Sequence, residues 1–204
     1  MSDKNHWENI YRTKNATQVS WFQEHAELSM RFIRGTGVGK TAQIIDVGGG
    51  TSTLVDDLLT TGYKNITVLD ISGAALRRAQ ERLGALGSSA TWIEADITQV
   101  ELPPDFYDVW HDRAVFHFLT RAEDRICYVQ AVMRSVKTGG HVIVASFGLG
   151  GPEHCSGLDV VRYNSETMHD EFGHDFELVA STDETHHTPF GTDQQFIYCY
   201  CRKA

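Results

Sequence analysis

The residues best placed to do chemistry are three consecutive glycines and the acids that flank and follow them. In Ile44-Ile45-Asp46-Val47-Gly48-Gly49-Gly50-Thr51-Ser52 an apolar strand runs into the glycines and then opens a helix. Glycine is needed where a ligand must approach the backbone closely as a strand turns into a helix. A second strand ends at Asp70, where an acid about 20 residues past such a loop is placed to accept hydrogen bonds from a ribose. A third strand, Thr91-Trp92-Ile93-Glu94, leads into Ala95-Asp96-Ile97. Asp96 can accept from an adenine amino group there, with Ile71 and Ile97 flanking the ring. The expected ligand is a nucleoside held at the carboxyl edge of a sheet.

In open parallel sheets ligands sit beyond the carboxyl ends of the strands. Segments following the fourth and fifth strands, and the tip of a last hairpin, should therefore face the reacting atoms. The first of these, Trp110-His111-Asp112-Arg113-Ala114-Val115-Phe116-His117-Phe118, mixes charges with rings. Asp112 and Arg113 either bind one another, or Asp112 meets a ligand ammonium, or Arg113 meets an anionic acceptor. Residues 147–163 form a long glycine-rich loop carrying His154-Cys155-Ser156, and the hairpin tip supplies His186-His187-Thr188. A histidine, with an ordinary pKa of about 6.5, can remove a proton from an acceptor. His117 is the first candidate base, with His154 and His187 behind it; Asp112 and Arg113 complete the catalytic candidates. A metal or soft element held by these histidines and Cys155 is the competing reading. No HxH or HxxxH spacing supports it, so no metal is expected.

These residues need a frame, and the middle of the chain has one. Short β-branched runs alternate with longer amphipathic stretches, the pattern of βαβ units and a parallel sheet. The predicted strands are 42–47, 66–70, 91–94, 107–111, 141–146, 176–181 and 195–201. Helices are predicted over 51–60, over 73–86 with Ser72 as N-cap, and over 121–136, closed by Gly139-Gly140 as a C-cap. Pro189-Phe190-Gly191 turns the last two strands into a hairpin. Ahead of the sheet, 7–14 and 23–34 read as helices outside it. Between them Trp21-Phe22 either covers the ligand as a lid or packs as a hydrophobic staple.

Bulk properties narrow the partners. A chain of 204 residues, 41% hydrophobic and 22% charged, suits one folded domain. The net charge of −9 and the absence of any basic run argue against nucleic acid or an anionic membrane as partner. No apolar run approaches the ~20 residues that cross a bilayer. Charges occupy the N-terminal positions where a signal peptide would be apolar. A cytoplasmic protein is expected, monomeric or homodimeric, with four free cysteines. Cys199 and Cys201 share one strand face and read as core packing.

Taken together, Asp46, Gly48–Gly50, Asp70 and Asp96 resemble the signature of a class I S-adenosylmethionine-dependent methyltransferase, from Asp46 to the terminal hairpin. The resemblance implies an α/β, three-layer Rossmann-like fold: a seven-stranded, mostly parallel sheet with an antiparallel last strand. Its division would be a single domain, 1–204, with 1–40 a helical lid and 41–204 the core. It implies S-adenosyl-L-methionine as methyl donor. Positions matching Asp46 and Gly48, Gly49 and Gly50 would hold its methionine part, Asp70 the ribose and Asp96 the adenine. Trp21, Thr51, Ser52, Ile71, Ile97 and His111 complete the expected cofactor contacts. Thr51-Ser52 depart from relatives that continue the glycine pattern.

A nicotinamide-binding Rossmann domain fits less well, because the spacing is DxGGGTS rather than GxGxxG. Gly35-Thr36-Gly37-Val38-Gly39-Lys40-Thr41 lacks the first glycine of a phosphate loop, Arg34 standing there, and it precedes a strand. Leu102-Pro103-Pro104-Asp105-Phe106 is similar to a nucleobase-methyltransferase motif but lies before the fourth strand instead of after it. The pattern Trp7…Tyr11…Ser20-Trp21-Phe22 is similar to a methyltransferase subgroup that includes protein-lysine enzymes. An aromatic pocket of Trp21, Phe22, Phe116 and Phe147 suits a small acceptor, with a thiol or other soft nucleophile first. A protein lysine is the alternative acceptor, and a cofactor-binding protein without catalysis is a third reading.

Overall fold

The alternation of buried β-branched runs with amphipathic stretches builds one mixed sheet covered on both faces. The structure is a computed structural model that describes residues 4–204; the first three residues of the expected N-terminal segment lie outside it. Helices α1 (Lys4–Thr13) and α2 (Glu27–Gly35) come first. The core then runs β1 (Gln43–Val47), α3 (Leu54–Thr60), β2 (Asn65–Asp70), α4 (Gly73–Leu83), β3 (Ala90–Glu94), β4 (Tyr107–Arg113), α5 (Ala122–Ser135) and β5 (Val136–Phe147). A two-stranded excursion, β6 (His154–Cys155) and β7 (Leu158–Asp159), precedes α6 (Ser165–Phe172). The hairpin β8 (Phe176–His187) and β9 (Asp193–Lys203) closes the chain.

The seven strands lie in the order β3-β2-β1-β4-β5-β9-β8. The first five are parallel, and β9 runs antiparallel to both β5 and β8. Successive side chains of a strand point to opposite faces. One core therefore joins Ile45, Val47 and Trp110 with Tyr128 and Val132 of α5 and Met168 and Phe172 of α6. The other joins Ile44, Val109 and Ile143 with Met30 and Ile33 of α2 and Leu54 of α3. Cys199 and Cys201 lie in the first core, as the shared face predicts.

Several elements differ from the sequence reading. Strand β4 continues two residues beyond His111, because Asp112 pairs with Val47 and Val144, and Arg113 with Ala145. Asp112 and Arg113 are thus the last residues of a strand and point to opposite faces. Gly139-Gly140 does not cap a helix. Helix α5 ends at Ser135, Val136 is already extended, and both glycines lie inside β5. A Cβ at Gly140 would stand 2.8 Å from the Lys137 carbonyl, so the glycines serve a tight bend. The loop after β5 is partly ordered into β6, β7 and α6, and Asn164 caps α6 by accepting from the Thr167 N–H at 2.8 Å.

Helix α1 lies over the β2–α4 turn. Ser72 caps α4, accepting from the Ala75 N–H at 3.2 Å. The Glu8 carboxylate crosses from α1 and accepts from the Ala74 N–H at 3.0 Å and the Ser72 hydroxyl at 3.2 Å. Trp7 and Tyr11 pack on Ala74 and Ala75, and Arg78 donates to the carbonyls of Lys14 and Arg12. Among the described residues no helix is long and apolar enough to cross a membrane.

Candidate active site

The site grows from the bend after β1. Gly48 and Gly50 take positive φ, 68° and 37°, and the Gly48 N–H donates to the Leu69 carbonyl at 2.7 Å. A Cβ on Gly48 would overlap the Val115 side chain. One on Gly49 would stand 2.7 Å from Asp46 Oδ2, and one on Gly50 2.7 Å from Asp70 Oδ2. The bend is therefore pressed between two carboxylates and the loop that follows β4.

Two cavities meet at this bend. One is lined by Asp70, Ile71, Asp96 and Ile97 and runs on to Trp7, Phe118, Phe147 and Cys155. The other is smaller and is lined by Asp46, Gly49, Thr51, Ser52, Ser29 and His111. Tyr11, Trp21, Gly48 and Arg113 line both. The structure thus brings the expected cofactor positions around one bent groove, except Gly50, which lines neither cavity. Asp70 accepts from the Ser72 N–H at 2.8 Å, and burial pushes its pKa up to about 7. Asp96 Oδ1 accepts from the Thr98 N–H at 2.9 Å and its hydroxyl at 2.7 Å. In the second cavity Asp46 Oδ1 accepts from His111 Nδ1 at 2.7 Å, while Asp46 Oδ2 is buried with no hydrogen-bond partner.

Of the catalytic candidates only Arg113 lines the groove. Asp112 is fully buried on the α5 face, where it accepts from the Val115 N–H at 2.9 Å, the Phe116 N–H at 3.2 Å and the Tyr128 hydroxyl at 2.7 Å. It lines neither cavity and does not pair with Arg113. Arg113 instead donates to Glu184 at 3.1 Å and to the Trp21 carbonyl at 3.3 Å, and stacks over Phe196. His117 is fully buried and stacked on Phe147. Its Nδ1 accepts from the Phe147 N–H at 3.3 Å, so the ring proton sits on Nε2 and no lone pair is free. Burial, with Arg113 nearby, lowers its pKa to about 3. His154 and His187 lie on the surface, with 68% and 78% of their side chains exposed, paired to Asp159 and Asp193. The three histidine segments come to one end of the sheet, but these side chains do not converge.

Sequence reasoning missed Tyr11 as a wall of both cavities. Its spacing from Trp7 on one helix face was the available signal. It also missed Ser29, Glu184 and Tyr198, for which no local signal exists.

The family profile described as methyltransferase domain matches residues 44–140, a span running from β1 to the start of β5 and holding the bend, Asp70 and Asp96. Over that span, just under half of its length, the chain carries the methyltransferase domain of the class I S-adenosylmethionine-dependent family. Its strand order, with one antiparallel strand between β5 and β8, is the sheet of that family. The solved structure of the N-methyltransferase NodS from Bradyrhizobium japonicum WM9, bound to S-adenosyl-L-homocysteine, superposes with a TM-score of 0.72 at 16% identity, covering 96% of this chain and 97% of that one. A structure from work on conversion of a disulfide bond into a thioacetal group during echinomycin biosynthesis gives 0.80 at 15% identity, covering 98% and 92%.

Curated relatives are more distant in length. The eEF1A lysine and N-terminal methyltransferase of Mus musculus is 23% identical over 147 residues, 69% of this chain but 21% of that protein. The chain therefore spans about a fifth of the first relatives it matches. EEF1A lysine methyltransferase 2 of Homo sapiens is 21% identical over 193 residues, 88% of this chain and 76% of that protein.

S-adenosylmethionine is the methyl donor of this family, and the residues present fit it. The orphaned Asp46 Oδ2 is an acceptor for an ammonium, and the glycine bend leaves the space that a Cβ would fill. Gly48→Ala would add a Cβ at positive φ against Val115. The expected cost is about 2 kcal/mol, read as a melting temperature roughly 4–8 °C lower with weaker cofactor binding. An unchanged melting curve would show that the loop after β4 yields freely.

Proposed function

We propose that the chain methylates a small-molecule acceptor bearing a thiol or other soft nucleophile, with S-adenosylmethionine as donor. In this reading Asp46, Gly48, Gly49, Gly50, Thr51, Ser52 and His111 hold the methionine part. Asp70 takes the ribose, Asp96 the adenine amino group, and Ile71 and Ile97 flank the ring. Trp21, with Trp7 and Tyr11, forms the lid over the groove. The donor, when bound, supplies an electrophilic methyl carbon for in-line displacement.

One observation carries the acceptor class. The part of the larger cavity beyond the nucleoside residues is walled by Trp7, Tyr11, Trp21, Phe118, Phe147 and Cys155 with Arg113, and none of the described residues lining it there is a histidine, lysine or carboxylate. Of the expected bases, His117 has no free lone pair and His154 and His187 face solvent. A nucleophile that ionises near neutrality needs no base, and a thiol is the common one. Rings that align the acceptor and exclude water supply the rest. Sulfur chemistry also figures in the work behind the echinomycin-related neighbour, a likeness of fold alone.

Incubation with labelled donor and a panel of apolar thiols and amines tests this. Thiol methylation should exceed amine methylation at least tenfold at neutral pH, because the thiolate fraction is larger by that order. Transfer to none of the thiols would reject the acceptor class. A protein lysine is the second reading, favoured by the curated relatives and by an open groove beside the methionine half. That groove carries Glu24, Glu27, Asp183 and Glu184, which suit a basic segment. A labelled protein band in lysate, with no small-molecule turnover, would select it.

A further inference from the structure

The second cavity is backed by an unbroken hydrogen-bonded chain of side chains from four elements. Arg113 Nε stands 3.0 Å from the Tyr198 oxygen, and Tyr198 3.2 Å from Ser29 Oγ. Ser29 Oγ stands 2.8 Å from His111 Nε2, and His111 Nδ1 2.7 Å from Asp46 Oδ1. Ser29, His111, Tyr198 and Asp46 are each no more than 2% exposed.

The direction of the chain follows from which groups can donate. A guanidinium N–H can only donate, so the Tyr198 oxygen accepts from Arg113. Tyr198 then spends its single proton on Ser29, Ser29 spends its own on His111 Nε2, and His111 Nδ1–H donates to Asp46. Were Nε2 to carry a proton instead, Ser29 would turn toward Tyr198 and the buried phenol proton would lose its acceptor. Every donor thus points toward Asp46. The chain and the Asp46 carboxylate together hold His111 with its proton on Nδ1, so that Oδ1 is satisfied and Oδ2 is left without a partner in a residue that lines the cavity.

We propose that Ser29 and Tyr198 are positioning residues for the amino-acid end of the cofactor, acting through the His111 ring on Asp46. The proposal rests on the family's cofactor and is independent of which acceptor is methylated. Neither residue lies in the glycine bend or in the expected nucleoside contacts. Tyr198 is on β9 and Ser29 on α2, outside the 44–140 span of the family profile.

Two probes separate this role from general support of the fold. S-adenosylhomocysteine carries the amino-acid end; methylthioadenosine keeps the nucleoside and lacks it. In Ser29→Ala, His111 Nε2 is left buried without its donor, and the ring that holds Asp46 Oδ1 loses its second anchor. Calorimetry should then show S-adenosylhomocysteine bound roughly tenfold more weakly, the scale of one lost buried hydrogen bond. Methylthioadenosine should stay within about twofold of wild type, since its contacts are untouched. Tyr198→Phe should give the same split, milder by one step along the chain, and serves if Ser29→Ala does not fold. Equal weakening of both probes, or of neither, overturns the proposal.

Discussion

Asp70→Ala should weaken S-adenosylhomocysteine binding roughly 100-fold or more, the expected loss of two hydrogen bonds to a charged acceptor. The same change should abolish a pH dependence that wild type shows. Asp70 is buried beside the β1 bend, with Asp46 and Glu8 near, and its pKa is raised from 3.8 to about 7. Below that pH the ligand-free carboxyl is protonated, whereas ribose hydroxyls bind best to the carboxylate. Affinity should therefore rise as pH increases through about 7, and binding below it should release a proton. Calorimetry at mildly acid pH in buffers of different ionisation heat reads that release. Binding heats independent of buffer, or affinity unchanged by the substitution, would remove Asp70 from the ribose site.

Asp112→Ala should lower stability by about 3–5 kcal/mol, or roughly 10 °C in melting temperature, without changing any residue that lines the groove. Three buried donors, the N–H groups of Val115 and Phe116 and the Tyr128 hydroxyl, would lose their acceptor. Removing the acid also removes its own desolvation cost, which is why the net figure falls short of three full penalties. Burial raises the Asp112 pKa to about 7 against 3.8. Between these values the folded state binds more protons than the unfolded one, so stability falls as pH rises. The part that Asp112 contributes is complete below about 4 and lost through about 7. The wild-type advantage over Asp112→Ala should thus be larger at acid than at alkaline pH. A gap that widens with rising pH would contradict this account. Val115 also presses on Gly48, so cofactor affinity should fall with the loop.

That the residues expected to hold the cofactor would cluster was legible in the sequence because their signals are local. A strand, a glycine bend and a helix start lie within a dozen residues. Asp70 and Asp96 stand at or just past strand ends, where the topology of a parallel sheet alone points them to one edge. The hydrophobic periods that mark those strands also place Cys199 and Cys201 in the core. Where local signals competed, the sequence misled. Gly139-Gly140 looks like a helix cap, yet strand pairing with β4 extends β5 back across it. His154 and His187 sit in segments that do reach the right end of the sheet. Which way a loop side chain turns is set by its own short ion pair, and Asp159 and Asp193 turn them outward.

What the amino-acid order determined by itself was the family, the sheet and the ring of residues expected around the cofactor. Those follow from short-range spacing and from period-two burial. Tertiary structure decided the rest. The two-residue extension of β4 put Asp112 and Arg113 on opposite faces, one to brace a loop and the other to meet Glu184. Packing of α2 across the sheet face from β4 to β9, with β5 between them, then brought Ser29 between His111 and Tyr198. Residues 29, 46, 111, 113 and 198 share no spacing that a linear reading could detect. Their contact exists because hydrogen-bonding groups buried together must satisfy one another, and only the assembled core determines which groups those are.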